Sequence, residues 1–492
     1  MLDSRVAVKL ADWCIEHYDK YGVAPYQDIH SIYKEKLKQG KIRREIGDAI
    51  EQDILPYLNE QYVENGINAE FLANRTKDYY REQRIRKHLQ DIETDLDKGK
   101  VENAEKLALS YKPIANERAD ELDLRSPELK NRLKFAFEKT SEPVLWYPGA
   151  LGDMWNEHLV RGGFVGIMAG EKVGKTLVLL DMAVRAMRQG TSVAFFQAGD
   201  MTEDQQLMRL AIYLTKRSNK EQYTGEMIEP IPDCIWNQLD ECDYPERECD
   251  HGIFNSIKDD YEDYFKWKKY GMTKQDLMDK QKRFPDYRAC HNCVEWHRKP
   301  WGSVWIDKVN VDKPLEYQEA VNAAEEFLAD NDGKFKLVTY ANGTLSVPEI
   351  DTRLSIWQQE EGFTPGMILV DYADLLISLD FSDFRHKQND IWAKLRGLSQ
   401  KWNALVVTPT QADAKAYETG LLRLSNFSED KRKYSHVTYM TGLNRDPKGR
   451  EKELGIMRVN DLVAREGWFT AERQVTVLQN LRRGRPFLGS FW

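Results

Sequence analysis

A chain of 492 residues is too long for one ordinary domain and has ample length to bury two or three cores. Its 41% hydrophobic and 31% charged content is that of a globular protein, and no apolar run approaches the roughly 20 residues that cross a bilayer. The net charge of −9 excludes a protein that coats nucleic acid through overall basicity, so any such contact must be made locally, through loops. The first residues lack the basic start and long apolar stretch of a signal peptide, so a cytoplasmic location without membrane contact is expected.

Residues 1–120 read as an all-α N-terminal domain. Val6, Leu10, Cys14 and Tyr18 recur at helical spacing beside Trp13, and Gly22 and Pro25 end that helix. The charged stretch from Thr76 to Lys112 is again helical in pattern, with Ile85, Leu89, Ile92 and Leu96 on one side. Residues 121–150 read as a linker helix and linker. Ser126-Pro127-Glu128 supplies a cap and a first-turn proline, and Pro143 and Pro148-Gly149 break the chain afterwards.

From Gly163 the texture changes to apolar runs alternating with helical patterns. Phe164–Met168, Ser192–Phe196, Met367–Val370 and Ala404–Val407 read as strands. The alternation implies an α/β core with a mostly parallel sheet, in two parts, 151–217 and 331–492. Val437–Leu443, Ile456–Val459 and Val475–Leu478 are expected to add antiparallel strands. Residues 218–330, rich in charge, Trp, Tyr and Cys, read as an insertion.

Ala169-Gly170-Glu171-Lys172-Val173-Gly174-Lys175-Thr176 is a P-loop, placed after a strand and before a helix as that motif requires. Backbone amides of such a loop cradle the phosphates of ATP. Lys175 would reach the β and γ phosphates, and the Thr176 hydroxyl would coordinate Mg²⁺. A P-loop enzyme also needs a carboxylate at the end of another core strand, and Asp371 fits that position. Asp200 follows the strand Ser192–Phe196 and is the candidate for orienting the attacking water, though it also reads as a helix cap. Gln411, after Thr408-Pro409-Thr410, is placed to sense the γ phosphate; a plain turn residue is the other reading.

With these pieces placed, the chain resembles DnaB-type replicative helicases, in particular divergent phage-like ones. Phe195–Met201 followed by Gln206–Leu210 resembles that family's segment around its catalytic acid, with Asp200 where the family usually has Glu. Ile368-Leu369-Val370-Asp371-Tyr372 resembles its carboxylate strand, and Thr408-Pro409-Thr410-Gln411 its third motif. Gln479–Gly484 resembles the C-terminal motif, in which Lys and Arg two apart reach the γ phosphate of the neighbouring subunit. Asn480 stands at the Lys position and Arg482 keeps the Arg.

The resemblance implies a RecA-like ATPase core and a hexameric ring around one DNA strand. It further implies movement from 5′ to 3′ along single-stranded DNA, unwinding of forked duplex, and a primase or loader as partner in a bacterial host or its phage. DNA would be held by the segments Ser378–Asp390 and Asp413–Tyr434, through Arg385, Lys387, Lys431, Arg432 and Lys433.

Five of the six cysteines fall between residues 234 and 293, which in a reducing compartment reads as structural zinc before disulfides. Cys290 and Cys293 supply one pair of thiolates. Cys234 and Cys242 are favoured for the other by a knuckle seen in phage-like members, with Cys249 as the substitute and His251, His291 and His297 as further ligands. The alternative is a set of reduced thiols without metal.

Two other functions share the P-loop. One is a RecA- or KaiC-like ATPase acting on DNA in recombination or repair without unwinding. The other is a helicase-like scaffold or loader with weak turnover, suggested by Asp200 and Asn480.

Overall fold

The computed structural model describes residues 4–21, 25, 29–38, 50–56, 69–101, 103–104, 107, 130, 133–134, 143–199, 201–242, 252–253, 273–290, 292, 302–378, 383–413, 420–426, 431–446, 449–465 and 472–492. The chain divides into two compact units, residues 1–129 and 130–492.

The first unit is helical where described. It contains α1 (Ser4–Tyr21), α2 (Ile29–Lys38) and the long α3 (Ala69–Asp97). Leu10 and Trp13 on α1 pack with Tyr33 on α2 and with Ile50, Ile54 and Leu55 in a small buried core. Gly99, at φ +72°, interrupts the charged stretch that the pattern extended to Lys112. Ile85, Leu89 and Leu96 are exposed on α3, so their spacing marks a helix without burying its stripe.

The second unit is built on a nine-stranded sheet. Its strands are β1 (Phe164–Ala169), β2 (Val193–Gly199), β5 (Phe335–Ala341), β6 (Met367–Asp371), β7 (Leu405–Gln411), β8 (Tyr439–Asn444), β9 (Ile456–Ala464), β10 (Gln474–Asn480) and β11 (Arg485–Phe491). The order across the sheet is β11-β10-β9-β8-β1-β7-β6-β2-β5. The six strands from β8 to β5 are parallel, and β9, β10 and β11 extend the sheet antiparallel. The expectation for Val437–Leu443 is therefore corrected: β8 runs parallel to β1. The segment between β7 and β8 is long enough to carry the chain back to the start of the sheet, which is what a parallel neighbour requires.

β1 and the leading parts of β6 (Met367–Val370) and β7 (Leu405–Val407) are apolar and buried because both sheet faces are covered. Val165, Ile167, Val193, Phe195 and Leu369 face one core, which includes α5 (Lys175–Arg188). Phe164, Met168, Phe196, Ile368, Val370 and Val406 face the other, under α10 (Val347–Glu361) and α11 (Phe384–Lys401).

Between α6 (Glu203–Thr215) and β5 the chain forms an antiparallel ribbon, β3 (Gly225–Cys234) with β4 (Gly302–Val311). Val304, Trp305 and Ile306 of β4 share a core with Ile456, Leu478 and Phe491 of the main sheet. The helix Tyr317–Asp330 then returns the chain to the main core, where Phe327 is buried.

Asp233 organises the end of this ribbon. Its carboxylate accepts from the backbone amides of Cys234 (2.7 Å) and Cys290 (2.9 Å), from the Tyr287 hydroxyl (2.6 Å) and from Gln238 Nε2 (2.8 Å). Burial raises its pKa despite those donors. Cys234 and Cys290 are thus drawn to one carboxylate, both buried. Among the described residues, however, no group of three or more His, Cys, Asp or Glu side chains is placed to hold a metal ion. Cys249 and Cys293 lie outside the described residues, as do His251, His291 and His297. Cys242 is half-buried. The zinc expectation finds no support in the described part.

Candidate nucleotide site

The C-terminal ends of the parallel strands carry the chemistry, as is general for open α/β sheets. Their register is explicit: Ala169 of β1 pairs with Gln411 of β7, and Gln197 of β2 pairs with Asp371 of β6. The P-loop, Gln411 and Asp371 therefore emerge at the same end of the parallel strands. Gly174 adopts φ 109° as the residue before α5, and Lys175 and Thr176 open that helix. Lys175 Nζ donates to the carbonyls of Ala169 and Gly170, both at 3.2 Å, so its ammonium lies in the curl of the loop.

A cavity of about 1040 Å³ occupies this end. Its walls include Glu171, Lys172, Gly174, Lys175 and Thr176 of the loop, with Asp371, Tyr372 and Gln411 opposite. Asp371 is 3% exposed. Its backbone carbonyl accepts from Gln197 Nε2 at 3.2 Å, and Gln197 in turn accepts from Gln206 of α6. Gln411 Nε2 donates to the Tyr372 hydroxyl at 3.4 Å, which fixes the amide beside the carboxylate strand. One hydroxyl and one carboxylate form a donor set suited to Mg²⁺, which keeps most of its water and takes few protein ligands. Thr176 and Asp371 are those two groups on this cavity.

Asp200 lies outside the described residues. Its neighbours bracket it: Gly199 ends β2, and Met201 lines the cavity. Thr202, one residue further on, caps α6 by accepting from Gln205 N.

Arg482 stands on the cavity wall of its own chain. It lies in the turn Leu481–Arg483 between β10 and β11, with its guanidinium 5.4 Å from the Tyr223 ring. Asn480 is not directed to the cavity: its Nδ2 donates to Glu229 Oε1 at 3.1 Å. Gly484 closes the turn at φ +62°, where a Cβ would lie 2.8 Å from Tyr213 N. Only glycine meets both demands.

Sequence reasoning missed several cavity residues. Arg209 lies one helical turn beyond Gln206 on α6. Burial lowers its pKa, and the charge of Asp371 opposes that shift. Tyr223 and Lys220 come from the segment after α6, and Lys452 from the short helix before β9. Arg209 had a signal in its three-residue spacing from Gln206. The others come together only through the fold.

The residues expected at DNA separate into different environments. Arg385 and Lys387 sit on the first turn of α11, not on an irregular loop, because Asp383 caps that helix by accepting from the amides of Arg385 (3.0 Å) and His386 (3.1 Å). Arg385 is exposed and Lys387 is half-buried. Lys431 and Arg432 open a turn of 3-10 helix, Lys431–Ser435, and their side chains are outside the description. Lys433, in the same turn, is 1% exposed and its Nζ is 2.7 Å from Asp374 Oδ1. A lysine spent on a buried carboxylate cannot pair with DNA, which corrects the expectation for Lys433.

The P-loop strand β1 is separated from the carboxylate strand β6 by one strand, β7, within a sheet that continues antiparallel past β8. This is the α/β core with a mostly parallel sheet that the alternating pattern of the sequence predicts. Among solved structures, the ATPase domain of G40P aligns over 74% of this chain and 97% of its own length, at 14% identity and a TM-score of 0.45. A DnaB-like replicative helicase, described with its interactions with primase, aligns over 96% of this chain and 89% of its own, at 13% identity and a TM-score of 0.45. No family model and no curated protein matches the chain. Among the described residues no helix is long and apolar enough to cross a membrane.

Proposed function

We propose that this chain is an ATP-hydrolysing DNA helicase of the DnaB type. The reading takes it to assemble as a ring-shaped hexamer and to move 5′ to 3′ on single-stranded DNA. The observation that carries it is the gathering of Lys175, Thr176, Asp371, Gln411 and Arg482 on one cavity at the strand ends. The motifs of Ile368–Tyr372 and Gln479–Gly484, and the helical unit that precedes the core, favour the helicase over other P-loop ATPases.

In this reading Lys175 holds the β and γ phosphates, and the amides after Gly174 face them at the start of α5. Thr176 and Asp371 would hold Mg²⁺, which when bound neutralises charge on the β and γ oxygens. Asp200 orients the attacking water. Gln411, tied to Tyr372, reads the γ phosphate, and Arg482, which lines the cavity of its own chain, is the cation that the family resemblance brings to the γ phosphate of the neighbouring subunit. Arg385, Lys387, Lys431 and Arg432 are the proposed DNA contacts, and a primase or loader is the proposed protein partner.

A second reading, a helicase-like scaffold or loader with weak turnover, is favoured by one observation. Asn480 is neutral and bonded to Glu229, so Arg482 is the one cation of the two that the helicase motif places there. ATP turnover with and without single-stranded DNA, alongside particle mass with and without nucleotide, tests the proposal. A Lys175-dependent rate that rises with DNA, from a hexamer, supports it. A rate indifferent to DNA, or a monomer under all conditions, defeats it.

A further inference from the structure

The turn that carries Arg482 is basic on both sides, with Arg483 and Arg485 close by. Those two neighbours are held elsewhere. Arg483 Nη1 lies 2.9 Å from Glu229 Oε1, and Arg485 Nη1 lies 3.3 Å from Glu229 Oε2. Asn480, on the other flank, donates to the same Oε1 at 3.1 Å. Glu229 is 6% exposed and belongs to β3, the first strand of the ribbon. Arg483 Nε also donates to the carbonyl of Lys216, at the end of α6. A single buried carboxylate thus grips residues on both sides of Arg482. Arg482 is the arginine of this turn that lines the nucleotide cavity.

We propose that Glu229 is a positioning residue for the ATPase reaction, and that the ribbon of residues 225–311 braces the arginine turn. The inference rests on the reading of Arg482 as the cation that acts on the nucleotide. The physical argument is one of geometry and charge. Three guanidinium groups within four residues, Arg482 and Arg483 of the turn and Arg485 at the start of β11, repel each other and compete for any phosphate nearby. Glu229 removes two of them from that competition and holds the side chains of Asn480, Arg483 and Arg485. Arg482 is left on the cavity wall, against the Tyr223 ring. Charge-assisted hydrogen bonds of this kind are roughly twice as strong as neutral ones. A displacement of about 1 Å in such a group costs on the order of 100-fold in rate.

The test uses the whole chain with Glu229→Gln, which keeps the size and an oxygen acceptor for Asn480 but removes the charge. Arg483→Gln, which loosens the grip from the other side, is the second variant. Melting temperature, affinity for a fluorescent ATP analogue, and kcat and KM for ATP are measured for each beside wild type and Lys175→Ala. The expected result is a kcat lowered about 100-fold with KM and analogue affinity within about threefold of wild type. A folded variant of either kind with wild-type kcat overturns the proposal. So does a rise in KM with kcat unchanged, since that is the mark of lost binding. Failure of both variants to fold also overturns it, by making the contact structural only. If wild type itself does not hydrolyse ATP, or Lys175→Ala hydrolyses normally, the functional reading fails instead.

Discussion

Lys433 and Asp374 form a buried ion pair, 2.7 Å apart, that joins the segment after β7 to the turn after β6. The same Asp374 carboxylate accepts from the Thr410 hydroxyl at 2.8 Å and from the Gln411 amide at 3.3 Å. One acid therefore ties the turn after β6 to Thr410 and the Gln411 backbone at the end of β7 and to Lys433. Removing one partner of a buried pair leaves the other charge uncompensated, which costs about 3–5 kcal/mol. Lys433→Ala is expected to destabilise the second unit by that amount in urea titration. A loss below about 1 kcal/mol, the range of exposed pairs, would contradict the burial described.

Gly484 combines a left-handed backbone with a close approach to the end of α6. Alanine at a positive φ destabilises by more than about 1 kcal/mol before any clash is counted. Gly484→Ala is expected to lower the melting temperature and to reduce ATP turnover by shifting Arg482. Melting and turnover both at wild-type level would show that the turn does not need glycine.

These contacts explain what was legible in the sequence and what was not. The P-loop is a local motif, so its eight residues carry their own context. β1 and the first residues of β6 and β7, Met367–Val370 and Leu405–Val407, announce themselves as apolar runs. β5 does not: it lies at the sheet edge, is only partly buried, and has Lys336 and Thr339 among its residues. Lys433 and Arg432 look alike in sequence, and only the fold shows that Lys433 meets an acid 59 residues away. Glu229 gives no local sign at all, since Asn480, Arg483 and Arg485 lie 251 to 256 residues beyond it. The cysteines were visible as a cluster, but chain proximity does not decide whether the thiols converge.

Arg482→Ala is expected to bind the ATP analogue as wild type does while losing most of its turnover. Arginines that meet the developing charge in P-loop enzymes are worth about 10³–10⁵ in rate. Single-turnover hydrolysis compared with equilibrium binding checks this. A rate within about threefold of wild type would reduce Arg482 to a wall residue that stacks on Tyr223.

Arg385 and Lys387 on the first turn of α11 are proposed phosphate contacts. Their joint replacement, Arg385→Ala with Lys387→Ala, should weaken binding to single-stranded DNA of every sequence alike. The slope of log affinity against log salt should fall by about 1.4, at about 0.7 for each phosphate lost. Fluorescence anisotropy over a salt series measures it. An unchanged slope would place the DNA path elsewhere.

The central claim is that ATP hydrolysis at this P-loop drives unwinding. Strand displacement from a forked DNA duplex, with wild type and Lys175→Ala in parallel, tests it most directly. The account predicts ATP-dependent displacement by wild type and none by Lys175→Ala. Brisk, Lys175-dependent ATP hydrolysis by wild type with no strand displaced would contradict it.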